Sequence, residues 1–371
     1  MGFGNSVSRR GFLKGSAVVA GGLTMPSIVR AQSKTELTML AWYGQAEPDA
    51  VEEFEALHNV KIVPKYYVGG EQMLALLAQS PPGTYDLIHA DAEYVQQLRA
   101  AGFLEKLDPD DYPFDDYFPE LQKFPGHWHG EDLYAVLSRF GFLGISHNLD
   151  AVSVAEASSY KLLWNEKVKD KVGHFDWHLP NLGVLSLYNG NKAPFDIGDA
   201  EWKALRDTTL SLKPQVRGFY DYGGVLSSLK SGEVTVMPGI GEWITGVLRR
   251  DGANVTTTIP EEGGLQFTES FSIGKGSKKA ELAKKFLQYV SGPDGQFRQA
   301  TLNVFPAIIP TKSGWKRLIE ERPEDAKHLG ISFEPGNSID LIREGRIHIR
   351  QLPAQQSLED WNDFWSAYKS A

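Results

Sequence analysis

Residues 37–102 run through three rounds of a buried strand followed by an amphipathic helix, and few folds accept that alternation. Leu37-Thr38-Met39-Leu40-Ala41-Trp42 reads as the first strand. Pro48 opens the helix after it, where a missing N–H costs nothing, and Val51, Phe54 and Leu57 supply its apolar face. Val60, Ile62, Pro64, Tyr66 and Val68 alternate as a second strand, and Met73, Leu74, Leu76 and Leu77 mark the second helix. Tyr85-Asp86-Leu87-Ile88-His89 is a short third strand, and a helix carrying Val95 and Leu98 stops at Gly102. This order predicts an α/β lobe with a largely parallel sheet. A second α/β region follows Gly141. In it Val225, Leu226 and Leu229 form a helix face, Val234-Thr235-Val236-Met237 a strand, Gly239 and Gly241 a turn, and Ile244, Val247 and Leu248 the next helix. Residues 277–290 are a further amphipathic helix. The length, 371 residues, suits two domains. No low-complexity linker separates them, so the chain is expected to cross between lobes more than once.

The N-terminus carries a different signal. Ser8-Arg9-Arg10-Gly11-Phe12-Leu13-Lys14 precedes an uncharged stretch, Gly15 to Val29, that is too short to span a bilayer as a stable helix. Val29-Arg30-Ala31 suits signal-peptidase cleavage. The segment resembles the bacterial twin-arginine export signal. Residues 1–31 are therefore expected to be removed near Ala31, leaving a periplasmic protein that starts near Gln32 and does not insert in a membrane.

Loss of Arg9, Arg10, Lys14 and Arg30, the only charges in that segment, takes the net charge from −9 to −13. An acidic chain of this kind argues against nucleic acid and anionic membrane surfaces as partners and favours attraction of cations. The chain has no cysteine. That excludes disulfides, thiolate metal sites, a cysteine nucleophile and a lipid-bearing cysteine at the cleavage site.

In sheets of this type ligands bind beyond the carboxyl ends of the strands. That rule singles out Trp42 and Tyr43 after the first strand, and Asp91 and Glu93 just beyond the third. For Trp42 the competing role is a core residue capping its strand. For Asp91 it is a helix N-cap, since Val95 and Leu98 follow.

Several landmarks, in order, resemble the polyamine-binding (spermidine/putrescine) subgroup of periplasmic solute-binding proteins of ABC importers. They are Ala41-Trp42, then Gly83-Thr84-Tyr85-Asp86-Leu87-Ile88, Gly141 to Asn148, Leu163-Trp164 and Gly232-Glu233-Val234. Ile259-Pro260-Glu261-Glu262-Gly263-Gly264 and Phe267-Thr268-Glu269-Ser270 complete the set. The resemblance implies the two-lobed (type II) α/β fold with a ligand cleft between lobes. Lobe one would be 33–139 plus 268–308 and lobe two 140–266 plus 310–371, with Val304–Pro310 as the third crossing. It implies that Glu269 pairs with a ligand ammonium, that Phe267 flanks it, that Trp42 and Phe140 wall the pocket, and that Asp176 supplies a second-lobe acid. The chain departs from the family where Phe175-Asp176-Trp177-His178-Leu179-Pro180-Asn181 carries one acid only, and where Arg139 adds a cation beside the pocket.

No H-E-x-x-H, Walker A or G-x-S-x-G motif occurs. His127-Trp128-His129 reads as a polar loop, with an exposed metal-binding pair as the alternative. Trp361 and Trp365, four apart, are expected to dock a C-terminal helix. The expectation is a monomeric receptor that hands a small, cationic, polyamine-like solute to an inner-membrane permease, with no cofactor and no bound metal. The alternatives are a receptor for an amino-containing zwitterion or anion such as an aminoalkylphosphonate, and an exported enzyme.

Overall fold

The computed structural model describes residues 34–371; the export segment and Ala31 lie outside the described residues. Among the described residues twelve strands form: β1 Thr35–Ala41, β2 Val60–Tyr66, β3 Leu87–Asp91, β4 Trp128–His129, β5 Asp132–Leu133, β6 Val136–Asn148, β7 Val172–Phe175, β8 Val216–Tyr220, β9 Val236–Gly241, β10 Val255–Thr258, β11 Gly264–Ile273 and β12 Ile347–Ile349. All except the β4–β5 hairpin join one curled sheet, ordered β2-β1-β3-β11-β6-β9-β7-β8, with β10 on β6 and β12 on β11. One end, β2-β1-β3, is parallel. The other, β9-β7-β8, is parallel as well. Between them lie two long antiparallel strands, β6 and β11. This is the two-lobed α/β fold, with β6 and β11 joining the two parallel ends of the sheet.

The residues explain the elements. Pro48 starts the helix Pro48–His58, and Asn59 ends it in the left-handed conformation at φ 50°. Val51 and Phe54 are buried there, but Leu57 is 71 % exposed. The buried side of the last turn is completed by Glu55 instead, whose carboxylate accepts from Ile62 N at 2.8 Å. The second strand stops at Tyr66 and leaves Val68 exposed. The third strand is shifted two residues from the sequence reading and runs Leu87–Asp91. Asp86 ties it down by accepting from Thr38 N at 2.9 Å and Ser277 Oγ at 2.7 Å.

β6 is buried over its first twelve residues and β11 over all ten, since both have protein on either face. Gly141 sits where they cross. A Cβ there would lie 2.0 Å from Glu242 Oε1 and 2.5 Å from the Phe267 ring, so only glycine fits. Segment 304–310 runs beside this crossing: Phe140 N donates to Ile308 O at 2.8 Å, and Ile308 N returns a bond at 2.9 Å. Gly239 and Gly241 do not form a separate turn; β9 continues through Gly241, with Gly239 at φ 72° packed against the Pro180 backbone. The last helix, Leu358–Ser370, begins with a Ser357–Asp360 capping box and buries Trp361 and Trp365. Trp361 stacks on Trp202 at 5.2 Å. No helix among the described residues is long and apolar enough to cross a membrane.

Candidate functional site

Five parallel strands, β1, β3, β7, β8 and β9, present their carboxyl ends to one cleft. Trp42 follows β1, Asp91 closes β3, Trp177 follows β7, Tyr222 follows β8, and Trp243 follows β9. The cleft encloses about 530 Å³, part of it open to solvent.

Its walls are aromatic. Trp42 lies 4.9 Å from Tyr67, 5.9 Å from Trp177 and 6.3 Å from Tyr222, measured between ring centroids. Tyr222 in turn lies 5.6 Å from Trp243 and 5.1 Å from Phe305, and Trp243 lies 6.5 Å from Phe267. Such rings offer faces to methylenes and to cations, each cation contact contributing about 0.5–2 kcal/mol.

Two ion-pair sets are built into these walls. In the first, Asp91 occupies the N-cap position of the helix Ala92–Ala100, yet its side chain caps nothing. It accepts from Trp42 Nε1 at 2.9 Å and pairs with Arg350 Nη2 at 2.5 Å. Arg350 Nε reaches Glu93 Oε1 at 2.6 Å, and the guanidinium stacks 4.4 Å over Trp177. Burial pushes the Asp91 and Glu93 carboxyls up from their ordinary range, and the one guanidinium they share opposes it.

In the second set, the β6–β11 ladder slips its register between Glu269 and Ser270. An irregularity of this kind re-aims side chains, and here it places Glu269 opposite Arg139. Arg139 Nε donates to Glu269 Oε2 at 2.7 Å and Nη1 donates to Phe305 O at 2.6 Å. Phe305 holds that carbonyl from a left-handed conformation, φ 59°, which bulky residues seldom adopt. Gln45, its amide oxygen turned inward, accepts from Arg139 Nη2 at 2.7 Å. His89 Nε2 lies 3.1 Å from Glu269 Oε2, as an electrostatic contact and not an aligned hydrogen bond. Burial alone would raise the Glu269 carboxyl; Arg139 and His89 outweigh it and hold it at about 2. Glu269 is therefore a carboxylate at any physiological pH. Among the described residues, nothing donates to its second oxygen, Oε1.

The structure brings Trp42, Tyr43, Asp91, Phe267 and Glu269 to the cleft. Tyr43 stands at its mouth, 47 % exposed. Glu93 lies behind Arg350 and lines a neighbouring cavity. Phe140 and Asp176 are not at the cleft. Phe140 points into the core against Phe142 at 5.8 Å, because alternation along β6 turns it to the face opposite Arg139. Asp176 faces an outer groove and pairs with Lys369 Nζ and Trp365 Nε1, both at 2.9 Å. His178 is buried, its Nε2 has no hydrogen-bond partner among the described residues, and burial lowers its pKa to about 4. Asn181 supports the loop under Trp177 by donating to the carbonyls of Phe175 and Trp177 at 2.8 Å. His127 is buried and paired with Ser270 Oγ at 2.7 Å, so the H-x-H loop does not expose two imidazoles. Among the described residues no group of three or more His, Asp or Glu is arranged to hold a metal ion.

Sequence reasoning passed over Trp177, Tyr222, Trp243, Phe305 and Arg350. Position directly after a strand was a usable signal for the first three. Arg350 had none, since it lies 259 residues from Asp91.

Comparison with known proteins matches residues 49–313 to the bacterial extracellular solute-binding proteins and residues 6–26 to the twin-arginine signal. The putrescine-binding periplasmic protein PotF of Escherichia coli is 26% identical over 300 residues, 75% of this chain and 80% of PotF. The spermidine/putrescine-binding periplasmic protein of the same organism is 26% identical over 286 residues, 75% of this chain and 79% of that protein. A putative spermidine/putrescine ABC transporter structure from Listeria monocytogenes superposes with a TM-score of 0.76 at 16% identity, covering 91% of this chain and 99% of that one. A cleft at converging strand ends, an export signal and a family match over more than half its length agree: this chain belongs to the bacterial extracellular solute-binding proteins and is exported to the periplasm through a twin-arginine signal.

Proposed function

We propose that this chain is the monomeric, non-enzymatic receptor of an ABC importer, and that its solute is small, amine-bearing and polyamine-like. Glu269 carries the reading. Arg139 and His89 hold it as a carboxylate, it is 8 % exposed, and among the described residues one of its oxygens takes no protein donor, with aromatic rings on either side. An ammonium is the partner such a group lacks. The names of the curated relatives, which bind putrescine and spermidine, agree with this chemistry. Native mass spectrometry of freshly purified protein tests it: a retained solute of amine mass is expected, and a retained solute without basic nitrogen sinks the reading.

A second reading has a specific observation behind it. Arg139 and Arg350 both line the cleft, and they favour a solute that also carries an anionic group, such as an aminoalkylphosphonate.

Lobe one is proposed as 33–139 plus 268–308 and lobe two as 140–266 plus 310–371. The continuous β6 and β11 and the Phe140–Ile308 pairing support three crossings near residues 140, 267 and 309. Hinge closure over the solute follows. Small-angle scattering should show a smaller radius of gyration with solute than without. Equal radii, with binding verified separately, would remove the hinge. Export should need both Arg9 and Arg10, because guanidinium and ammonium groups are not interchangeable. Replacing both with Lys should hold the precursor in the cytoplasm; an undiminished periplasmic yield would contradict that role.

A further inference from the structure

The first ion-pair set has the form of a cation site that the chain fills itself. Asp91 and Glu93 are the acids at the β3 end of the cleft. Their cation is Arg350, 4 % exposed and held from both sides. Its backbone N donates to Gln266 O at 2.9 Å, just past the pairing of β12 with β11. Its guanidinium plane rests on Trp177 at 4.4 Å. A residue fixed this way is part of the wall.

Charge counting gives the consequence. Asp91, Glu93 and Glu269 face Arg139 and Arg350, with His89 Nε2 3.1 Å from Glu269, so with all three acids ionised and His89 neutral the set retains one uncompensated negative charge. One solute ammonium balances it. A second would stand against Arg350 in a poorly solvated cleft, where like charges repel strongly. The donors left over point the same way. Among the described residues, Arg350 Nη1 makes no hydrogen bond, and Trp177 Nε1 is buried without an acceptor. A buried donor left unpaired is destabilising, and an incoming acceptor recovers that cost.

We infer that Arg350 takes the seat of a second ammonium and sets the specificity of the cleft. The solute brings a single ammonium to Glu269 and a carboxylate-like acceptor end to Arg350 and Trp177. The solute class is then the ω-amino acid and not the diamine. This inference rests on the amine-receptor part of the reading above and replaces its polyamine-like part.

Calorimetry on the full mature protein decides between them with two series of matched length: 3-aminopropanoate, 4-aminobutanoate and 5-aminopentanoate against 1,3-diaminopropane, putrescine and cadaverine. The best amino acid should bind wild type at least about tenfold more tightly than the best diamine. In Arg350→Gln, which returns Asp91 and Glu93 to the solute, the preference should reverse, with the ratio moving by about a hundredfold or more. A wild type that prefers diamines overturns the inference and leaves the amine receptor standing. A folded Arg350→Gln with an unchanged ratio overturns the role of Arg350. If that variant does not fold, the wild-type comparison decides alone. If neither series binds wild type, the amine reading falls and the inference falls with it.

Discussion

Glu269→Gln is expected to weaken binding of an amine-bearing solute at least about a hundredfold and to destabilise the empty protein as well. Both effects come from burial. Glu269 is the partner of Arg139 at 2.7 Å, and the guanidinium is 3 % exposed. Removing one member of a buried pair costs about 3–5 kcal/mol, because the other charge stays behind without water. At about 1.4 kcal/mol per tenfold, loss of the solute's ammonium partner reaches a hundredfold readily. The pH dependence gives an independent check. Glu269 titrates at about 2 in the folded protein against an ordinary 4.5. A carboxyl with a depressed folded pKa stabilises above the unfolded value, and that contribution disappears as pH falls from about 4.5 towards 2. The variant should lack this part of the acid transition. Denaturant titrations at pH 7 and pH 3 measure it. Equal midpoints for wild type and variant at pH 7 would show that the Arg139–Glu269 pair adds nothing to the fold.

Glu242→Gln is expected to act in the opposite direction and stabilise the protein at mildly alkaline pH. Glu242 begins the helix Glu242–Arg250, is 8 % exposed, and has no salt-bridge partner among the described residues. Its oxygens accept from Phe142 N at 3.2 and 3.3 Å. Burial raises its pKa to about 8, and the backbone donors only partly offset this. A carboxyl with a raised folded pKa lends its stability below the unfolded value, and the contribution is lost as pH climbs from about 4.5 through 8. Across that window, at about 1.4 kcal/mol per unit, the loss is on the order of 5 kcal/mol. Gln cannot ionise, so wild type minus variant isolates the effect. The subtraction matters, because buried His174 and His178 and half-buried His328, all lowered to about 4, change stability in the acid half of the range with the opposite sign. Urea midpoints at pH 5 and pH 8.5 should converge at the first and separate at the second. Parallel behaviour of the two proteins would show that Glu242 stays ionised in its pocket.

The two residues share a neighbourhood, which ties stability to the site. Gly141 on β6 leaves room for Glu242 Oε1 and for the Phe267 ring, and Phe267 stands two residues from Glu269. A neutral carboxyl packs there without a counter-ion. A charged one would press on β6 and β11 at the middle of the sheet.

Strand and helix order was legible in the sequence, because period-2 and period-3.6 patterns are local properties. The first three strands and their helices fall where apolar spacing puts them, apart from the two-residue shift of β3 and the outward turn of Leu57. The export signal was legible too, since its recognition depends on adjacent residues. Trp42, Asp91 and Glu269 were found at strand ends or by resemblance, and all three reach the cleft. What the sequence could not express was pairing over distance. Asp91 and Glu269 read as open carboxylates awaiting a cation. Folding sets Arg350 against the first from 259 residues away and Arg139 against the second from 130 residues away. Likewise, Phe140 and Arg139 are adjacent in the chain, but strand alternation sends one to the core and the other to the cleft. Asp176 is drawn outward by Lys369 and Trp365 of the last helix. The sequence by itself determined the fold class and the presence of an acidic, aromatic cleft. Only the tertiary structure decided which acids the chain neutralises itself, because in a buried site charge is settled by whatever the fold brings within about 4–6 Å.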